Sequence, residues 1–246
     1  MEDCKTTTTP IEINLNLEPN KKGGEDILPY RKLIGTLMYI SVATRPDITY
    51  AVNYLSRFND SFGPEHFRSA KRVLRYLKGT TNVGLTYTKS QKPLDGMADA
   101  DWGACKLDRK SCSGYTFKYA GAAISWASKK QRSVALSTAE LEYTALTEAA
   151  KEAVHLRSLF RDLGIDFGQI TIWSDNQAAI KLGHNPIVSS KSKHIDLKVH
   201  YIRDCVKEGV LKIEYKCTEE MEADLLTKAL PGPRLAMLRG KLGVLQ

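Results

Sequence analysis

Four short motifs place acidic side chains among small or apolar neighbours. They are Met97-Ala98-Asp99-Ala100-Asp101-Trp102, Ser137-Thr138-Ala139-Glu140-Leu141-Glu142-Tyr143, Ile172-Trp173-Ser174-Asp175-Asn176 and Glu222-Ala223-Asp224-Leu225-Leu226-Thr227-Lys228. An unpartnered carboxylate is costly to bury in such company, so each acid is either a turn or cap residue or a ligand. Singly none is specific. Together, one acid per motif would supply the hard oxygen ligands that Mg²⁺ takes. Two such ions, roughly 3.5 to 4 Å apart, can activate a water and steady a leaving oxygen at phosphorus. The chemistry implied is metal-assisted hydrolysis of a nucleic-acid backbone.

Position distinguishes some of these acids. Ser137 with Glu140 three residues on has the form of a capping box, and Glu140 shares a helix face with Thr144, Thr147, Glu148 and Lys151, which predicts that it points to solvent. Glu142 instead falls on the stripe of Ala145, Leu146, Ala149, Ala153 and Leu156 that must pack on a sheet, so it should sit at the edge of the core and need a partner. Asp175 lies where a strand gives way to a helix, the crevice in which α/β proteins place ligands, although a helix N-cap would explain it equally well. Asp224 borders an apolar face with Met221, Leu225 and Lys228, and a plain surface acid is the alternative. In the first motif the residues alone leave Asp99 and Asp101 both open.

Residues 1 to 28 carry a threonine run, Pro10, Pro19 and the Lys21 to Asp26 cluster, and read as a mobile leader. From Pro29 the apolar spacing is helical: Leu33, Leu37 and Ile40, then Ile48, Val52 and Leu55 after Arg45-Pro46-Asp47. A third helix ends at Gly79, giving a small α-helical subdomain over 29–90. β-type patterns follow, with strands expected at Met97–Trp102, Gly114–Tyr119 and Ala123–Ala127. After them come a long helix at Ser137–Leu163, a strand at Ile170–Ser174, helices at Asn176–Leu182 and near His194–Glu208, a strand at Val210–Cys217 and a last helix at Glu219–Leu230. Residues 231–246 are left as a C-terminal tail. Strands first and then β/α alternation predict an α/β fold, a mixed sheet flanked by helices, over 96–230.

The 246 residues carry 36 Lys+Arg against 28 Asp+Glu, a net charge of +8 that favours a polyanionic partner. Basic residues concentrate on the third helix, where Arg68, Lys71, Arg72, Arg75 and Lys78 recur at helical spacing opposite Phe67, Ala70, Val73, Leu74 and Leu77. No acid occurs between His66 and Leu94, so a phosphate-contacting stripe is expected there, against the plainer reading of a solvated face. Lys129, Lys130 and Arg132, just ahead of the long helix, form a second candidate phosphate contact. The five cysteines are scattered without a zinc-type pair, so reduced thiols are expected, as in an intracellular protein. The longest apolar stretch, Leu33 to Ala43, falls short of the roughly 20 residues needed to cross a bilayer.

These motifs carry a resemblance. Tyr30-Arg-Lys-Leu-Ile-Gly-Thr-Leu-Met-Tyr39, Thr44-Arg-Pro-Asp47, Lys71-Arg-Val-Leu-Arg-Tyr-Leu-Lys-Gly-Thr80, Asp99-Ala-Asp-Trp102, Arg109-Lys-Ser-Cys-Ser-Gly-Tyr115, Ser128-Lys-Lys-Gln131, Lys193-His-Ile-Asp196 and Ala223-Asp-Leu-Leu-Thr-Lys228 follow one order. In this the chain resembles the C-terminal part of the pol polyprotein of copia-type retrotransposons over nearly its whole length. The resemblance implies a reverse-transcriptase thumb or connection region up to about residue 90 and then a ribonuclease H-like domain with a five-stranded mixed sheet. It implies Asp99, Glu142, Asp175 and Asp224 as the acids around two Mg²⁺ ions, with Mn²⁺ able to substitute. Asp99 is taken over Asp101 because it aligns with the acid of the related Asp-Ala-Ser form. The implied substrate is the RNA strand of an RNA–DNA hybrid, marked by its 2′-OH and cut to a 5′ phosphate and 3′ hydroxyl.

The chain departs from the family at Cys112, where Thr is usual, at Ala139-Glu-Leu-Glu142 in place of Thr-Glu-Ala-Glu, and at Ser189 in place of a His. None of these removes an expected ligand. The paired aspartates of a polymerase palm are missing, so the implied partners include the palm and fingers of a parent polyprotein, with a cytoplasmic or nuclear location and no membrane. The rival reading is a transposon-derived remnant that keeps the fold and binds nucleic acid without catalysis. An integrase-type polynucleotidyl transferase would need three acids at a different spacing.

Overall fold

Five strands form a mixed sheet in the order β4-β3-β2-β5-β6. They are β2 (Asp95–Asp101), β3 (Cys112–Tyr119), β4 (Ala122–Lys130), β5 (Ile170–Ser174) and β6 (Leu211–Tyr215). A two-residue strand, β1 (Gly84–Leu85), lies outside it. This computed structural model describes residues 1, 3–20, 29–90, 92–102, 108–135, 137–184 and 196–246. The turn at Ala120-Gly121, both at positive φ, folds β4 back on β3, so β2, β3 and β4 make an antiparallel meander. β5 and β6 then run parallel to β2. The expected fold, a five-stranded mixed sheet flanked by helices and preceded by a helical region, is the one observed.

Strand alternation sends successive side chains to opposite faces, and each face has its own cover. Ala98 and Ala100 join the core under α4 (Thr138–Asp162), which also takes in Leu141, Ala145, Leu146, Ala149, Ala153 and Leu156. α5 (Gln177–His184) and α6 (Asp196–Lys207) complete that layer. Met97 faces the other way, onto Met221 and Ala223. That second face is closed by the helical region: α1 (Tyr30–Ala43), α2 (Thr49–Ser56) and α3 (Pro64–Gly79) share one core with Cys112, Ala123, Leu225 and Leu226. Trp126 Nε1 donates to Ser41 O at 2.8 Å and Asn53 Nδ2 to Ser128 O at 2.7 Å, tying α1 and α2 to β4.

Two of the quoted motifs, Thr44-Arg-Pro-Asp47 and Lys71 to Thr80, turn out to be braces of the helical region. Arg45 binds Asp47 through two hydrogen bonds of 2.8 Å, and Tyr76 OH donates to Asp47 at 2.6 Å. Arg45 also reaches Thr80 Oγ1 at 2.7 Å. A buried pair satisfied in this way holds the start of α2 against the end of α3.

Three expectations need correction. Among residues 3–20 the leader is packed: Ile11 and Leu17 enter the core, and Leu17 N donates to Tyr54 OH at 3.1 Å. The helix expected over Glu219–Leu230 is instead two short 3₁₀ turns, Thr218–Glu220 and Glu222–Leu226. The segment after it, expected as a tail, forms helix α7 (Gly232–Lys241) and strand β7 (Val244–Leu245), which pairs antiparallel with β1. Leu235, Leu238 and Leu242 bury in the helical core, which is why this segment folds.

Candidate active site

The site opens where two strands part. β2 pairs with β5 only over Asp95 to Met97, so the strands diverge beyond Met97 and leave a cleft at the carboxyl end of β5. Asp99 enters it from the second face and Asp175 from the residue after β5, while Glu142 reaches it from the first turns of α4. One oxygen from each of these three carboxylates lies within 4.8 Å of the others. Asp99 and Glu142 are buried, at 3% and 7% exposure.

Each acid is positioned by an identifiable contact. Gly114 is opposite Asp99 in the ladder, and a Cβ there would come within 2.7 Å of Leu226 Cβ. The missing side chain lets the 222–226 turn press onto the sheet. Thr227 Oγ1, at the end of that turn, then donates to Asp99 Oδ2. Glu142 accepts from the Ala100 N–H, while its Oε2 is buried with no hydrogen-bond partner among the described residues. The N-cap alternative for Asp175 is excluded, because Asn176 Oδ1 caps α5 by accepting from Ala179 N at 3.0 Å. Asp175 Oδ2 is held instead by Thr218 Oγ1 at 2.7 Å.

Asp224, at 1% exposure, is no surface acid. Lys228 Nζ lies 2.7 Å from its Oδ1 and Arg234 Nη2 donates to its Oδ2 at 2.6 Å. The same lysine stands 3.9 Å from Asp99 Oδ2. The predicted fourth ligand thus adjoins the cluster but is engaged by two cations. Asp101, the other first-strand candidate, lines a cavity of about 220 Å³ between the leader and Tyr50 and Tyr54 of α2, whereas Asp99 joins the cluster with Glu142 and Asp175.

The electrostatics follow from crowding in a dry place. Burial pushes the Asp99 carboxyl above the usual range; Lys228 opposes this and Asp224 adds to it. Burial does the same to Glu142, reinforced by Asp99 and Asp175. Burial works against the charge of Lys228, but Asp99 and Asp224 outweigh it and hold its pKa above the ordinary value. Converging oxygens, one of them buried and unpartnered, are the donor set a hard divalent cation fits.

Glu140 departs from expectation. Ser137 Oγ does accept from Glu140 N at 3.2 Å, but the Glu140 side chain is buried, as is Thr147 on the same face. α6 lies along α4 close by: Tyr143 OH donates to Val199 O at 3.3 Å and Lys198 Nζ to Thr144 Oγ1 at 3.1 Å. Glu140 nevertheless stays outside the cluster.

The basic candidates divide. Lys129, Lys130 and Arg132 line a cavity of about 500 Å³ with Lys151 and Lys198, two lysines that sequence reasoning missed because they belong to separate helices; Glu148 lines it too and pairs with Lys151 at 2.8 Å and Lys129 at 3.7 Å, while Lys130 pairs with Asp108 at 2.8 Å. On α3 the outcome is different, because the donors are taken by the leader. Arg72 Nη1 pairs with Glu12 at 2.9 Å, Arg75 Nε donates to Lys5 O at 2.6 Å, and Lys78 Nζ donates to Cys4 O at 3.1 Å. Lys71 lies over the Phe67 ring at 5.0 Å, and Arg68 is exposed. An extended leader leaves carbonyls that need donors, and this stripe supplies them. Arg72, Arg75 and Lys78 thus hold the leader against α3. Ser189 lies outside the described residues, and Cys112 sits buried beside Ser128.

Three carboxylates gathered where β2 and β5 part, on a mixed sheet flanked by helices, define an α/β protein with an acid cluster that a divalent cation would fit. The comparisons narrow this class. The chain is 39% identical over 251 residues to the retrovirus-related Pol polyprotein from transposon TNT 1-94 of Nicotiana tabacum, covering 99% of this chain and 19% of that one. It is 49% identical over 130 residues to secreted RxLR effector protein 161 of Plasmopara viticola, covering 52% of this chain and 92% of that one. A crystal structure of RNase H1 from Halobacterium salinarum overlaps 55% of this chain and 93% of its own, at 17% identity and a TM-score of 0.41. No family model matches. Over nearly its whole length the chain is similar to the retrovirus-related Pol polyproteins of transposons, and it spans about a fifth of the length of the relative from tobacco. Among the described residues no helix is long and apolar enough to cross a membrane.

Proposed function

We propose that this chain is a ribonuclease H-type hydrolase that cuts the RNA strand of RNA–DNA hybrids. The observation that carries the reading is the convergence of Asp99, Glu142 and Asp175 in a cleft with one Glu142 oxygen left unpartnered. Asp99, Glu142 and Asp175 would hold Mg²⁺ or Mn²⁺, with Asp224 alongside; when bound, the ions supply an activated water and neutralise charge developing at phosphorus.

The chain's own groups perform the remaining tasks. Thr227 and Thr218 fix the rotamers of Asp99 and Asp175 before substrate arrives, which avoids reorganisation at the moment of reaction. Lys129, Lys130, Arg132, Lys151 and Lys198 line a basic cavity suited to the backbone of the strand that is not cut. The partner in the parent polyprotein is the reverse-transcriptase palm and fingers. A hybrid labelled on either strand tests the proposal: with Mg²⁺ the RNA strand should be cut to 5′-phosphate ends and the DNA strand left whole. Equal cleavage of both strands, or of single-stranded DNA, would make it a different nuclease.

One observation favours the second reading, a remnant that binds without cutting. Both oxygens of Asp224 already face cations of the chain itself. Hybrid binding that is independent of divalent ions, with neither strand cut, is the result expected of such a remnant.

A further inference from the structure

The position of Asp224 carries an inference about order. Its two oxygens are engaged by different cations, Oδ1 by Lys228 Nζ at 2.7 Å and Oδ2 by Arg234 Nη2 at 2.6 Å. The two cations are not equivalent. Lys228 is four residues away in the same turn, is a third exposed, and also stands 3.9 Å from Asp99 Oδ2. It therefore occupies the space between Asp99 and Asp224 on a flexible stem that can swing out to solvent. Arg234 comes from α7, and the same Nη2 donates to Thr218 O at 2.8 Å, while Thr218 Oγ1 holds Asp175. One guanidinium thereby links the turn carrying Asp224 to the turn that fixes Asp175. Leu235, its neighbour, is anchored in the helical core, so this brace is tied to the scaffold.

We propose that Lys228 is a built-in counter-cation that makes divalent-ion uptake sequential, and that Arg234 is a positioning residue that holds Asp224 and the Asp175 turn in register. Asp99, Glu142 and Asp175 would hold a first ion, and Asp224 would serve a second only once the Lys228 ammonium has left the gap. The inference rests on reading the three acids as a divalent-ion site. The balance is of charge only: one ammonium leaves the gap as one divalent ion enters, so no covalent step is involved. Two unit charges about 4 Å apart near a protein surface interact strongly enough to shift ion affinity by about tenfold or more.

Mn²⁺ titration of the metal-free full chain tests this, followed by calorimetry and by the electron paramagnetic resonance of free Mn²⁺. The unmodified chain should take one ion and then a second at least about tenfold more weakly. Lys228→Met should tighten the second step by a similar factor and leave the first nearly unchanged. Two equally tight ions in the unmodified chain, or an unmoved second step in Lys228→Met, would overturn the inference while leaving the three-acid site standing. Absence of any ion binding would overturn both. For Arg234, Arg234→Met with an unchanged circular-dichroism spectrum should lower kcat on a hybrid with little change in KM, and Arg234→Lys should recover part of the loss. An unaltered kcat in Arg234→Met would remove its positioning role.

Discussion

Asp99 and Glu142 are two carboxylates forced together where water is scarce, and their response to pH follows from that. Burial, with Asp224 beside Asp99 and with Asp99 and Asp175 beside Glu142, raises both folded pKa values above those of the unfolded chain. Their contribution to stability is therefore complete below the ordinary carboxylate range and is lost as pH rises through the raised values. A bound divalent cation reverses the repulsion. The rise in Tm produced by Mg²⁺ should thus be larger near about pH 8 than near about pH 5.5, as read by differential scanning calorimetry. An equal shift at both values would mean that the ion does not bind these acids. Part of this was legible in the sequence: the α4 stripe placed Glu142 in the core, but the burial of Glu140 was not, because that face is covered as well. Lys228, Arg234, Thr227 and Thr218 were not assigned roles. Lys228 and Thr227 stood inside a quoted motif, but Arg234 and Thr218 reach the acids only through tertiary folding.

At the level of elements, strands and long helices were readable because alternation and 3.6-residue periodicity are local. The 222–226 turn was misread because Met221, Leu225 and Lys228 mimic helical spacing, whereas its shape is set by contact with the sheet at Gly114. That contact makes a prediction. Gly114→Ala should overpack the turn, costing about 1–3 kcal/mol in urea unfolding, and should weaken Mn²⁺ binding by moving Thr227 off Asp99. Unchanged stability would mean that the turn is not in contact there. The leader was misread for the opposite reason: its polar composition hides two apolar residues that enter a core made by other segments. Leu17→Ala should destabilise the chain by about 2–5 kcal/mol, far more than a residue of a mobile leader could. A loss near zero would return the leader to that description.

Across the whole molecule, the sheet is covered on one face by α4 to α6 and on the other by the helical region, the leader and α7, so the acids sit on a scaffold drawn from both ends of the sequence. The shared core predicts one cooperative unfolding transition by circular dichroism and by tryptophan fluorescence, whereas two separated midpoints would mean that the helical region folds apart from the sheet. It also explains why function must be tested on the full chain. The central claim, that these acids make a metal-dependent hydrolase, is tested most directly by one paired assay. The unmodified chain and Asp99→Asn, which keeps the shape and removes the charge, are compared on an RNA–DNA hybrid labelled on the RNA strand, with Mg²⁺ or Mn²⁺ and with chelator. RNA cleavage that requires the metal and is abolished in Asp99→Asn, with hybrid binding retained, is the predicted result. No metal-dependent cleavage by the unmodified chain, alone or with a separately supplied reverse-transcriptase palm, or equal cleavage by Asp99→Asn, would contradict it.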